Sequence, residues 1–166
     1  IRAGIARDGI RNSHLTAIAP TGTISLLAGN VSSGVEPVFR RELCRPVLTA
    51  EGQRESFRMQ DAAWRRWQAD HGDKSLPPAF VEAEELSPEA HLAMQATLQP
   101  HVDSAISKTI NVPESMPFAA FEAIYQRAFE LGLKGCTTYR PNPVTRAVLQ
   151  GVDTATPCCG IDRESD

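Results

Sequence analysis

No run of apolar residues in this 166-residue chain reaches the length of about 18 that a bilayer-crossing helix requires, so a helical membrane span is excluded. Cysteine is scarce: Cys44 and Cys136 stand alone, and Cys158 and Cys159 are adjacent near the C-terminal end. Such spacing is not that of a secreted disulfide framework, and it offers no pair of C-x-x-C knuckles for zinc. The histidines, at 14, 71, 91 and 101, include no i, i+4 pair, so no metal site is expected. Neither sign of charge dominates, because 17 Lys and Arg face 20 Asp and Glu for a formal net charge of -3 and a pI near 5.8. That field does not draw polyanions, and general nucleic-acid binding is not expected. Internal repeats of solenoid period are lacking as well. The start, Ile1-Arg2-Ala3-Gly4, is neither an initiator methionine nor a signal peptide, which leads one to expect a processed chain or a piece of a longer one. A reducing, cytoplasmic setting fits these absences.

What is present is ordinary globular composition, 42% hydrophobic and 22% charged, in a length that suits one compact unit. Arg2, Arg7 and Arg11 put cations into the first turns, opposed only by Asp8, and read as a solvated face. Leu15-Thr16-Ala17-Ile18-Ala19 has the character of a buried strand that ends at Pro20. Thr21-Gly22-Thr23 are turn and N-cap types, and Ile24 to Ala28 suits a first helical turn or two, stopped by Gly29-Asn30. Val31 to Pro37 reads as a loop and Val38 to Leu48 as extended.

Met59 to Ala69 has helical spacing with Trp64 and Trp67 as a packing stripe. Ser87-Pro88-Glu89 announces a helix to about Leu98, with an N-cap, a proline at the first position and acid in the first turn. Ser107 to Val112 has strand character and stops at Pro113. The spacing of Phe118, Phe121, Ile124, Tyr125, Ala128, Phe129 and Leu131 predicts an amphipathic helix that ends at Gly132. Cys136 to Arg140 is short and β-prone. The chain divides into residues 1–150, which carry the periodic segments, and 151–166, a cysteine-bearing tail too poor in apolar residues to pack and expected to be flexible.

Pro20-Thr21-Gly22-Thr23-Ile24-Ser25 is the segment richest in chemistry. A strand that turns through glycine into a helix start leaves backbone N–H groups pointing outward, where they favour an anion. The hydroxyls of Thr21, Thr23 and Ser25 add donors, so a phosphate could be held without the lysine of a Walker loop. Read in isolation, an ordinary capped turn fits the same residues. Cys136 and Cys44 read as small buried hydrophobes rather than nucleophiles. Lys108, in an otherwise apolar strand, reads as an edge lysine that protects a sheet, with a position facing substrate or cofactor as the alternative.

Arg11-Asn12-Ser13-His14 running into Ala17 to Ser25, with Gly34-Val35-Glu36-Pro37 shortly after, resembles the substrate-phosphate region of class II, adenosylcobalamin-dependent ribonucleotide reductases. Ser107-Lys108-Thr109-Ile110-Asn111-Val112-Pro113 and Gly132-Leu133-Lys134-Gly135-Cys136-Thr137-Thr138-Tyr139-Arg140-Pro141 follow in the same order as in that family. The resemblance spans residues 1–143 at intervals and is faintest over 48–85. It implies an α+β, helix-rich segment with a few short strands, the C-terminal part of the ten-stranded α/β barrel of the catalytic subunit.

On that resemblance Thr21, Gly22, Thr23, Ile24 and Ser25 bind the phosphates of a ribonucleotide substrate, and Thr138 and Tyr139 face the cobalamin or the finger loop that bears the radical cysteine. Cys158 and Cys159 stand where the family keeps a C-terminal pair that re-reduces the active-site disulfide, although the family's pair is separated and this one is adjacent. No block here matches the finger loop, so turnover is expected only with the N-terminal part of the reductase or a complementary subunit. A thioredoxin-like reductant is implied, and open strand edges make a homodimer conceivable. The alternative is a noncatalytic nucleotide- or phosphate-binding or assembly module derived from the same fold.

Overall fold

A computed structural model describes residues 1–50, 52–141 and 150–151. The tail expected over 151–166 therefore lies, Gly151 apart, outside the described residues.

The periodicities seen in the sequence become elements where tertiary contacts support them. Helix α1 (Arg2–Asp8) buries no residue, in keeping with its cations, and ends at Gly9. An extended segment follows, fixed by Asp103, whose carboxylate accepts from the Leu15 and Thr16 amides and from the Thr16 hydroxyl. These bonds, the Leu15 amide foremost, hold the Asp103 carboxyl below its ordinary range. Ile18 bridges Ile106 in parallel, and the Ser107 amide donates to the Ile18 carbonyl. The strand expected over 15–19 thus pairs at Ile18 alone, and Leu15 is 64% exposed rather than buried.

Helix α2 (Gly22–Leu27) comes next, then an antiparallel hairpin of β1 (Glu42–Leu48) and β2 (Arg54–Gln60), in register from Glu42 opposite Gln60 to Leu48 opposite Arg54. The expected extended stretch from Val38 begins only at Glu42. Met59, expected in a helix, belongs to β2, because the Asp61 side chain accepts from the Trp64 amide and starts α3 (Ala62–His71) only after it. Trp67 stacks on His71 with ring centroids 3.7 Å apart and packs on Phe80, as a packing stripe requires.

Helix α4 (Pro88–Leu98) starts as its sequence dictates, with the Ser87 side chain accepting from the Ala90 amide and proline in the first turn. Strand β3 (Thr109–Asn111) pairs in parallel with β4 (Thr137–Tyr139), and α5 (Phe118–Glu130) connects them. This is a strand, helix, strand crossover of the kind that parallel pairing demands. A two-residue strand β5 (Gln150–Gly151) lies antiparallel to β1 at Leu43 and Cys44.

The main core forms where α4 and α5 cover the β3–β4 pair, and holds Leu92, Ile110, Val112, Ile124 and Ala128 with Phe121, Leu133 and Cys136 against them. Each buried Leu, Ile or Val side chain among these contributes roughly 1.5–3 kcal/mol of hydrophobic stabilisation. Of the apolar stripe on α5 only Ile124 and Ala128 are buried, while Phe118 and Phe129 are 75% and 84% exposed. The described strands thus form an open, helix-covered α+β piece and not a closed barrel.

Candidate substrate-phosphate site

Three amides begin α2 without a helical acceptor: those of Gly22, Thr23 and Ile24. Among the described residues no side chain caps them. Helix formation starts two residues earlier than the sequence suggested, so the Ser25 amide is already taken by the Thr21 carbonyl at 2.8 Å. Thr21 sits in the left-handed region at φ 48, ψ 29, an uncommon conformation for a β-branched residue. It turns the chain sharply out of the extended segment. A Cβ built at Gly22 would meet no atom within 4 Å, so the space over this first turn is open.

Two of the three hydroxyls expected to contact phosphate bond to the protein itself, Ser25 as donor and Thr21 as acceptor with its own proton left to donate. The Thr21 Oγ1 accepts from the Gly34 amide at 2.8 Å, and the buried Ser25 Oγ donates to the Val31 carbonyl. They fasten the 31–34 loop to α2. Only the Thr23 hydroxyl remains exposed beside the open amides. The loop itself is tightly seated, since a Cβ at Gly34 would lie 2.9 Å from the Ala19 carbonyl oxygen and its φ is +56.

Below this loop lies a buried polar cluster. Lys108 is 3% exposed, and its Nζ donates to Glu36 Oε2 at 2.7 Å, to His91 Nδ1 at 2.7 Å and to the Thr109 carbonyl at 3.0 Å. The second oxygen of Glu36 accepts from the Thr109 amide. An ammonium can only donate, so His91 Nδ1 must accept and its proton sits on Nε2, facing the Ala83 carbonyl at 3.2 Å. Burial first and the neighbouring Lys108 charge second push the His91 pKa below its ordinary value. Lys108 lies immediately before β3, and its ammonium is directed inward at Glu36, His91 and the Thr109 carbonyl. The signal for this was its phase, since Lys108 alternates with Ile106, Ile110 and Val112, all buried.

A cavity of about 650 Å³ opens beside Gly22 and Ser25 and is also lined by Glu36, Arg45, Asn111 and Tyr139. Arg40 on its wall, and Arg41 beside it in sequence, are held by Glu82, which also closes a capping box with Glu85. Burial raises the Glu82 carboxyl, but the Arg41 amide and guanidinium outweigh it and leave the group below its usual range.

The two residues expected at the cofactor part company here. Tyr139 lines the cavity, whereas the Thr138 hydroxyl meets the Tyr125 hydroxyl at 2.9 Å on the side of α5. Neighbouring residues of a strand point to opposite faces, so the pair cannot present one surface to one ligand. Tyr139 is a wall of the cavity, and Thr138 is not among the residues that line it. Cys136 packs against the core with its thiol pKa raised by burial, as suits a structural cysteine. Cys158 and Cys159 lie outside the described residues.

The family described as "Ribonucleotide reductase, barrel domain" matches residues 1–139. The chain belongs to that family. It is 36% identical over 162 residues to the vitamin B12-dependent ribonucleoside-diphosphate reductase of Thermoplasma acidophilum, covering 86% of this chain and 21% of the relative. The enzyme of the same name from Mycobacterium tuberculosis is 36% identical over 153 residues, covering 81% of this chain and 22% of the relative. The chain thus spans about a fifth of the length of these curated relatives.

A crystal structure of a B12-dependent, class II ribonucleotide reductase superposes with a TM-score of 0.56 at 18% identity, over 82% of this chain and 21% of the other. The alpha subunit of a class Id ribonucleotide reductase from Actinobacillus ureae gives a TM-score of 0.60 at 22% identity, over 82% and 28%. These likenesses are to the fold of the reductase barrel, which both classes share.

Proposed function

We propose that this chain is the phosphate-holding part of the barrel of an adenosylcobalamin-dependent ribonucleotide reductase, and that the substrate is a ribonucleoside diphosphate. The carrying observation is the match over residues 1–139 together with the open amides of Gly22, Thr23 and Ile24. Because superposition does not separate the B12-dependent class from class Id, the choice of class rests on the named sequence relatives.

The amides of Gly22 to Ile24 and the Thr23 hydroxyl donate to the substrate's phosphate oxygens, and Thr21 and Ser25 hold the loop that shapes them. Hydrogen bonds to a charged group each contribute about 1.5–3 kcal/mol, so this set suffices to orient a nucleotide without a lysine. Tyr139 and Asn111 line the cavity in which the ribose would sit. Adenosylcobalamin supplies the radical when the complete enzyme binds it. The finger loop comes from a partner polypeptide or another part of the protein, and Cys158 and Cys159, with a thioredoxin-like reductant, restore the reduced state.

Mixing the chain with a polypeptide bearing the finger loop, adenosylcobalamin, a dithiol and a ribonucleoside diphosphate tests this reading. Deoxyribonucleotide is the expected product, with KM raised about tenfold or more by Thr23→Ala, the loss of one charge-assisted bond. Folded components that give no product would overturn the reading.

A further inference from the structure

The buried cluster of Glu36, Lys108 and His91 is not explained by stability. Desolvating an ammonium and a carboxylate costs about as much as their attraction returns, and apolar side chains of equal volume commonly serve a core as well or better. Its geometry is what is distinctive. Lys108 immediately precedes β3, His91 is on α4, and Glu36 ends the loop that is bonded to α2, so one ammonium joins three separate parts of the chain. From Glu36 the covalent path to the phosphate loop is short. Gly34, two residues earlier, donates to Thr21, and Val31 accepts from Ser25. Thr21 in its left-handed conformation aims the Gly22 to Ile24 amides, and a non-glycine residue stays there only if its surroundings hold it.

We propose that Lys108, seated between Glu36 and His91, is a positioning residue: a strut that fixes the 31–36 loop on the β3–α4 layer and thereby holds the first turn of α2 in its anion-accepting geometry. The ligand it serves is the nucleotide phosphate, so the inference rests on the reading of the site given above. It assigns to Lys108 no contact with substrate. Its side chain is 1% exposed and its three donor directions are filled by Glu36, His91 and Thr109.

The test compares the whole chain with Lys108→Met/Glu36→Gln, which removes both charges and so leaves no ion buried alone. Two readouts are taken: exchange of the Ser25 and Gly34 amides without ligand, and calorimetric affinity for ADP. Loss of the strut frees the Gly34–Thr21 bond, so both amides are expected to exchange about tenfold faster and ADP to bind about tenfold more weakly. Amides of Ile124 and Ala128 in the core should keep wild-type exchange. Lys108→Met alone, if it fails to fold, leaves the double variant to decide. Wild-type exchange and affinity in a folded double variant overturn the strut. If the wild-type chain binds no ADP, the reading of the site fails in this chain, and the exchange measurement alone decides for or against the strut.

Discussion

Replacing Lys108 with methionine is the most demanding test of how this fold is held. Methionine fills nearly the same volume, so the hydrophobic contacts of the lysine stem survive and only the ammonium is lost. Its removal leaves Glu36 with a single donor, the Thr109 amide, and leaves His91 Nδ1 without any described donor. Breaking a buried ion pair from one side costs about 3–5 kcal/mol. The Glu36 side chain is 20% exposed and recovers some hydration, which places the expectation near the lower limit, about 3 kcal/mol. Urea unfolding followed by tryptophan fluorescence reads this directly through Trp64 and Trp67. With a slope of roughly 2 kcal/mol/M, the midpoint should fall by about 1.5 M. Adding Glu36→Gln should return most of the loss, because the two sites share one interaction and their effects are then not additive. A single variant within about 1 kcal/mol of wild type, or a double variant that sums the single losses, would refute the assignment of a buried pair.

Other expectations follow from single contacts. Gly34→Ala forces a Cβ to within 2.9 Å of the Ala19 carbonyl at positive φ, and should destabilise the chain by about 1–3 kcal/mol in the same urea assay. Ser87→Ala removes the side-chain cap of α4 and should cost about 1 kcal/mol, read as a lowered melting temperature. His91 is held neutral in the fold by burial and by Lys108, so its folded pKa lies below the ordinary 6.5 of the unfolded chain. The unfolded state then binds the extra proton first. The stability contribution is complete above pH 6.5 and falls as the pH drops from there toward the folded pKa, by at most about 1.4 kcal/mol per pH unit. A His91→Gln variant should lose that slope between pH 6.5 and 5, measured by urea midpoints across the range.

Much of this protein was legible in the residue order because local chemistry decided it. Ser87-Pro88-Glu89 starts a helix wherever it stands, since its hydroxyl, ring and carboxylate each satisfy a need of a helix N-terminus. The stop at Gly132, φ +70, is likewise a backbone event that few residue types permit. The family was legible through resemblance, in the ordered blocks around residues 11–25, 34–37, 107–113 and 132–141.

What the order of residues could not decide was the destination of groups able to serve in more than one place. A threonine or serine hydroxyl near an anion site can face the anion or the protein, and only the folded loop turned Thr21 and Ser25 inward to Gly34 and Val31. Thr138 and Tyr139 are neighbours in sequence and opposites in space, because the β4 pleat sends one toward α5 and the other into the cavity. Lys108 is the clearest case. A lysine in an apolar strand carries a charge that must be matched somewhere, and its partners, Glu36 and His91, lie 72 and 17 residues away in sequence. Only tertiary structure brings them within hydrogen-bonding distance, and in a buried site that proximity is the condition on which a charge can remain charged.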